Sequence, residues 1–224
     1  MKLRDIVPWG RSLTEYRSMF NLSGADLGGT LLGCADGPAS FNAEVAAAGG
    51  DMVSVDPIYR FGATQLRGRI DAAYEEVMPQ VSARPEEYSW KSIRDPEELG
   101  RIRMRAMGAF LDDYEQGKEQ GRYVEGSLPE LPFADGQFDL ALCSHFLFLY
   151  SERFDLEQHI ASARELCRVA KEARVYPLLT LEGEPSPHLA PLRSALRDVG
   201  IDTRLESVGY EFQIGATQML VAHT

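Results

Sequence analysis

Short apolar runs alternate with longer amphipathic ones along the 224 residues, which predicts buried strands covered by helices. SLTEYRSMF, Ser12 to Phe20, reads as a helix with Ser12 as N-cap and Glu15 three residues on. GGTLLG is a short buried strand ending at Gly33. SFNAEVAAAGG follows as a helix capped by Ser40 and stopped by Gly49 and Gly50, and MVSVD as a second strand closed by Asp56 and Pro57. Together they make a βαβ unit with an expected right-handed crossover.

About 65 residues then separate Asp56 from the next strand signal, RYVEGSL beginning at Arg122, too long for one crossover helix. ATQLRGRIDAAYEEVM places Leu66, Ile70, Ala73 and Val77 on one helical face, and LGRIRMRAMGAFLDDYEQGKEQ is a second helix beyond a Pro- and charge-rich turn carrying Trp90. Two helices offer too little core for a domain of their own, so residues 60–121 are expected as a helical cap inserted into a single 1–224 domain. FDLALCSH, 138–145, is the next strand. A helix follows with Leu156, Ile160, Ala163, Cys167 and Ala170 on its apolar stripe, then the strand ARVYPLLTL. SPHLAPLRSALRDVG is a helix with Leu189, Leu192, Leu196 and Val199 inward. The strand patterns DTRLESVGYEF and ATQMLVAHT, linked by a short QIG turn, must pair antiparallel. The expected fold is α/β: five parallel strands, a terminal antiparallel hairpin and helices on both faces.

Charge narrows the partners. The net charge of -11 argues against a nucleic-acid partner, which needs a basic surface. Residues 60–122 hold 11 basic and 12 acidic side chains, so this segment is locally near neutral, and its arginines read first as a solvated helix face paired with carboxylates. Arg67, Arg101 and Arg105 are open to a second use, holding an anionic acceptor. No run approaches the ~20 apolar residues of a membrane-crossing helix, and the first 20 residues lack the apolar centre of a secretory signal. A soluble cytoplasmic protein with no membrane partner is expected. Three cysteines, Cys34, Cys143 and Cys167, lack metal spacing and are expected as free thiols. No feature sets the oligomeric state.

The chemistry concentrates at strand ends. Gly33 and Gly37 let a ligand approach the backbone after the first strand. Asp56, 23 residues beyond Gly33, stands where a carboxylate can accept both hydroxyls of a ribose; the same residue also suits a helix cap through Asp56–Pro57. These features resemble the class I S-adenosylmethionine-dependent methyltransferases: LLGCADGPASF is similar to their first motif, VSVDP to their ribose-binding strand end, and GSLPELPFADGQFDLALCSHFLFL to their adenine loop and fourth strand. ARELCRVAKEARVYPLL resembles the helix and strand that come next, and the terminal hairpin agrees with that family's Rossmann-like seven-stranded sheet.

The resemblance implies S-adenosylmethionine as cofactor and methyl transfer to a small-molecule acceptor. Carried over by position, it sets Gly33, Cys34, Ala35, Asp36 and Gly37 around the methionine and ribose. Asp56 falls on the ribose, Pro57 and Ile58 against the adenine, and Ser127 and Leu128 at its edge. Ser144 and His145 would face the methyl group, with His145 either a base or a lining residue; Tyr59, Trp90 and Tyr150 are the acceptor-side candidates. Two positions depart from the family. Leu31 replaces the acid that orients the cofactor's ammonium, with Asp36 as its expected substitute, and Ala35 replaces a glycine. His159 and His188 are expected on exposed helical positions. The altered motif leaves a non-catalytic binding or regulatory protein of this fold as the alternative. An NAD(P)-dependent oxidoreductase is disfavoured by the Leu-Pro-Phe turn and the antiparallel ending.

Overall fold

A computed structural model describes residues 6–223; the first five residues of the stretch read for a secretory signal lie outside them. The strands are β1 (Thr30–Cys34), β2 (Asp51–Val55), β3 (Tyr123–Val124), β4 (Phe138–Ser144), β5 (Ala170–Tyr176), β6 (Asp202–Ser207) and β7 (Gln218–His223). They form one sheet in the order β3-β2-β1-β4-β5-β7-β6, with β1 to β5 parallel and β7 antiparallel to both β5 and β6. This is the Rossmann-like arrangement with a terminal hairpin that the sequence pattern and the family resemblance imply.

Strand alternation divides the core into two layers. Leu31, Leu140, Leu142 and Val221 face a cluster with Tyr16, Phe20 and Phe41 of α1 (Leu13–Phe20) and α3 (Phe41–Ala47); α2 (Gly24–Leu27) is a single turn before β1. Leu32, Ala141, Cys143 and Leu220 face the opposite cluster with Leu166 of α6 (Leu156–Val169) and Leu192 and Leu196 of α7 (Leu189–Arg197). The Ser12–Glu15 capping box of α1 is present in full. All three cysteines are buried free thiols.

Between β2 and β3 run α4 (Ala63–Ala83) and α5 (Pro96–Glu119). The α5 residues Met107, Phe110 and Tyr114 pack with Tyr59 and Tyr123 at the β3 edge of the sheet. The α4 residues Val77 and Val81 join the α1 side of the core. Arg101 of α5 pairs with Glu97, and Arg94, in the turn before that helix, pairs with Glu98.

The structure corrects five local expectations. Ser40 does not cap α3: its backbone is already helical and its hydroxyl bonds Glu44 instead. The strand at RYVEGSL shrinks to two residues, because its partner β2 ends at Val55, opposite Val124. Val199 is 49% exposed, since α7 ends two residues before it. His159 is buried, its Nδ1 2.7 Å from the Asp155 carbonyl and its ring 4.5 Å from that of His188. The last strands are joined by residues 208–217 rather than a tight turn. This arm carries Tyr210 and Phe212 into the core, and Phe212 stacks on Tyr88 at 4.9 Å, with its carbonyl accepting from Ser89 N.

Candidate functional site

Cys34 pairs in register with Val55 on one side and Cys143 on the other, so β1, β2 and β4 end level and their following loops converge. The chain order reverses between β1 and β4, the position where open parallel sheets bind ligands. A cavity of about 510 Å³ opens there, in the range of small-molecule sites. Its wall contains Cys34, Ala35, Asp36, Gly37, Asp56, Pro57, Ile58, Ser127, Leu128, Ser144, His145 and Tyr150. Twelve candidates scattered over more than 100 residues of sequence thus meet around one space.

The first loop is built around Asp36. Its carboxylate turns back over Gly33, where an added Cβ would lie 1.7 Å from Oδ2; the glycine is needed to admit this side chain, not the ligand. The Tyr16 hydroxyl donates to Oδ1 at 2.6 Å and the Ser54 hydroxyl to Oδ2 at 2.7 Å. Leu31 and Gly33 point to the same sheet face, and Leu31 is fully buried among apolar neighbours. Asp36 thus brings a buried carboxylate to the sheet face on which Leu31 lies, two residues beyond the strand end. Burial, opposed by the two hydroxyls, raises the Asp36 carboxyl to about 6. Ala35 has a φ of +56°, the left-handed region that costs a residue with a Cβ roughly 1–2 kcal/mol. His145, at the end of the neighbouring strand, is held in the same region at +52°. Both backbones are pinned across the sheet, Ala35 N to the Val55 carbonyl at 2.9 Å and His145 N to the Tyr176 carbonyl at 2.6 Å.

Asp56 performs the capping role and leaves capacity for another. Oδ1 accepts from Ile58 N and Oδ2 from Gly37 N, each at 2.9 Å. Each carboxylate oxygen retains a second lone pair, and the side chain lines the cavity. Burial raises this carboxyl to about 6 as well, against the two backbone donors.

His145 is partly exposed to the cavity, with Nδ1 2.9 Å from the Ser144 hydroxyl. Enclosure, followed by repulsion from Arg11 and Arg103, holds the imidazole well below its ordinary pKa. It is neutral at pH 7, and Nε2 is the proton-accepting atom when Nδ1–H donates to Ser144.

Two acceptor-side candidates stand elsewhere. Tyr59 is buried beneath the first loop, its hydroxyl donating to the Gly37 carbonyl at 2.8 Å. Trp90 packs edge-on against Tyr88 and Phe212 with Nε1 on the Pro85 carbonyl; it braces the wall that Tyr88 and Phe212 form. Phe148 is buried in the core, whereas Phe146 and Leu149 face the cavity.

The N-terminal segment supplies wall residues that the motifs did not reveal: Trp9, Arg11 and Tyr16. Arg11 is 8% exposed; its Nη1 donates to the Trp9 carbonyl and its Nε meets no acceptor among the described residues. Behind it, fully buried Arg103 makes a two-point contact with Glu15 at 2.7 and 2.8 Å, and the Tyr210 hydroxyl donates to the same carboxylate. Arg103 did carry a signal, as a charge inside the apolar stripe Leu99, Met107, Phe110 and Tyr114 of α5. No group of metal-binding side chains occurs among the described residues. Nor does any described helix have the length and apolarity to cross a membrane.

Residues 105–173 match a family model described as a methyltransferase domain. The chain is 28% identical over 222 residues to an uncharacterized protein of Methanocaldococcus jannaschii, covering 99% of this chain and 97% of that one. A putative S-adenosyl-L-methionine-dependent methyltransferase structure from Methanococcus maripaludis aligns with a TM-score of 0.49 at 10% identity, over 95% of this chain and 82% of that one. The magnesium protoporphyrin IX methyltransferase of Synechocystis with bound SAM aligns at 0.43 and 14% identity, over 89% and 72%.

Proposed function

We propose that the chain is a class I S-adenosylmethionine-dependent methyltransferase that methylates a small-molecule acceptor bound in this cavity, a reading supported by the match of residues 105–173 to a methyltransferase-domain model. The observation that carries the reading is Asp56: a buried carboxylate at the end of β2 with one lone pair free on each oxygen, suited to a pair of vicinal hydroxyls. The remaining donor set fits the same cofactor. Pro57, Ile58 and Leu128 offer apolar surface for a flat ring, Ser127 a polar edge, and Asp36 a buried carboxylate for an ammonium. When bound, S-adenosylmethionine supplies an activated methyl group, so the residues here have chiefly to position the acceptor and exclude water.

In this reading Tyr88, Phe212 and Tyr150 enclose the acceptor, and α4 with the turn after it forms the cap, an insertion at about 60–121 in a single domain. His145 takes the proton that the acceptor loses. A His145→Gln variant is expected to bind S-adenosylhomocysteine within twofold of the wild type; a tenfold weaker affinity would assign the imidazole to the cofactor instead. The cytoplasmic setting is part of the same proposal, since free buried thiols suit a reducing compartment.

Thermal denaturation with S-adenosylmethionine, S-adenosylhomocysteine, NAD and NADP tests the reading. A ligand at about a hundred times its Kd contributes roughly 2.7 kcal/mol, which raises the melting temperature of a chain this long by about 5–10 °C. The first two ligands are expected to give that rise and the nicotinamide dinucleotides none. A response confined to NAD or NADP overturns the proposal. Binding without turnover across a broad acceptor screen would favour the non-catalytic alternative, which the changed first motif keeps relevant.

A further inference from the structure

Arg11 is a cation that the described protein leaves uncompensated. With Arg103 and Glu15 it forms a buried cluster holding two positive charges and one negative. The only carboxylate of the cluster is taken by Arg103 at two points and by Tyr210. Arg11 has one bond, to a neutral carbonyl, and a buried Nε with no acceptor among the described residues. Taking a guanidinium out of water without a counter-charge is costly, and a protein core keeps such a group only when something offsets that cost. Arg11 also lines the cavity, between Trp9, Tyr16 and His145.

We propose that Arg11 is the cavity's seat for a carboxylate carried by a bound ligand. The planar fork suits a two-oxygen anion, and Trp9, Tyr88 and Phe212 in the wall of the same cavity suit an apolar body. The inference deepens the methyltransferase reading and rests on it: the carboxylate belongs either to the acceptor, which is then an apolar carboxylic acid, or to the amino-acid end of the cofactor. Burial, and then repulsion from Arg103, lowers the affinity of Arg11 for its proton, the direction expected of a site awaiting an anion.

Calorimetric titration of the wild type, Arg11→Met and Arg11→Lys with S-adenosylhomocysteine and with methylthioadenosine, which lacks the amino-acid end, separates the sources. Melting curves with 3-phenylpropionate and its amide, at saturating S-adenosylhomocysteine, complete the set. Should Arg11→Met weaken S-adenosylhomocysteine about 30-fold and methylthioadenosine less than twofold, the seat holds the cofactor's carboxylate. Should both nucleosides bind the variant normally while phenylpropionate, and not its amide, stabilises only the wild type, the seat belongs to the acceptor.

Arg11→Lys, which keeps the charge and loses the fork, is expected to lie between the other two and serves if the Met variant does not fold. The unliganded Met variant should melt no lower than the wild type, because it loses an unpaired buried charge. Unchanged nucleoside affinities together with no Arg11-dependent carboxylate response overturn the proposal, and a lowered melting temperature alongside them makes Arg11 structural. If the wild type binds neither nucleoside but responds to phenylpropionate through Arg11, the methyltransferase reading fails and the seat stands.

Discussion

Asp56→Asn is expected to weaken S-adenosylhomocysteine binding about 100-fold while moving the melting temperature by no more than about 3 °C. Each hydrogen bond from a ribose hydroxyl to a charged acceptor contributes about 1.5–3 kcal/mol, so losing the charge and one acceptor oxygen costs about 3 kcal/mol of affinity. The fold loses less. An amide oxygen still accepts from Ile58 N or Gly37 N, and replacing a buried carboxylate whose pKa is raised removes a desolvation cost. The opposite result, normal affinity with a large fall in melting temperature, would make Asp56 only the cap of the turn at 57–60. Asp36→Asn in the same titration separates the two carboxylates: it is expected to weaken S-adenosylhomocysteine and to spare methylthioadenosine, which has no ammonium.

The pH dependence follows from the raised carboxyls. Asp36 and Asp56 both sit near 6 in the unliganded protein, above the roughly 4 of an unfolded aspartate. Between those values the folded state holds more protons than the unfolded one. The contribution of these two groups to stability is therefore complete below about pH 4 and lost as pH rises to about 6. Ligand binding runs the other way. Ribose hydroxyls donate to ionised Asp56 and the ammonium pairs with ionised Asp36, so affinity for S-adenosylhomocysteine should fall as pH drops below 6; for methylthioadenosine, which has no ammonium, the fall should be about tenfold per unit and Asp56→Asn should flatten it.

Most of the sheet was legible because its strands are buried on both faces and bounded by glycine, proline or aspartate: TLLGC, DMVSV and FDLALCS announce themselves as apolar runs. The strand-end half of the cavity was legible for a related reason, since residues at strand ends are fixed by the same turns that end the strands. The opposite wall was not. Trp9, Arg11 and Tyr16 reach the cavity from a segment with no motif, and Tyr88 and Phe212 meet only because residues 208–217 fold across to the turn after α4. No local spacing encodes such a meeting. Tyr59 shows the converse, an aromatic near the motif in sequence whose hydroxyl is spent holding the Gly37 carbonyl. Gly33 matched the motif for a reason the motif does not contain, the return of Asp36 over the strand.

Glu15→Gln is expected to have the largest effect on stability, about 3–5 kcal/mol, seen as a fall of roughly 10 °C in melting temperature. Glu15 closes the capping box of α1, accepts two bonds from fully buried Arg103 and one from Tyr210, and supplies the only negative charge of the Arg11 cluster. Glutamine retains one acceptor and turns an amide donor toward a guanidinium, stranding two buried cations. Burial alone would push the Glu15 carboxyl up, but the Arg103 charge and hydrogen bonds hold it at about 2. Its folded value lies below the unfolded one, near 4.3, so its contribution is complete above that pH and lost as pH falls toward 2. Acid unfolding of the wild type should show this slope, opposite in sign to that from Asp36 and Asp56, and Glu15→Gln should lack it. The double variant Glu15→Leu with Arg103→Met checks the cause. If the cost is that of a stranded charge, removing both partners recovers most of the stability that removing one destroys; an additive loss would place the effect in the α1 cap instead.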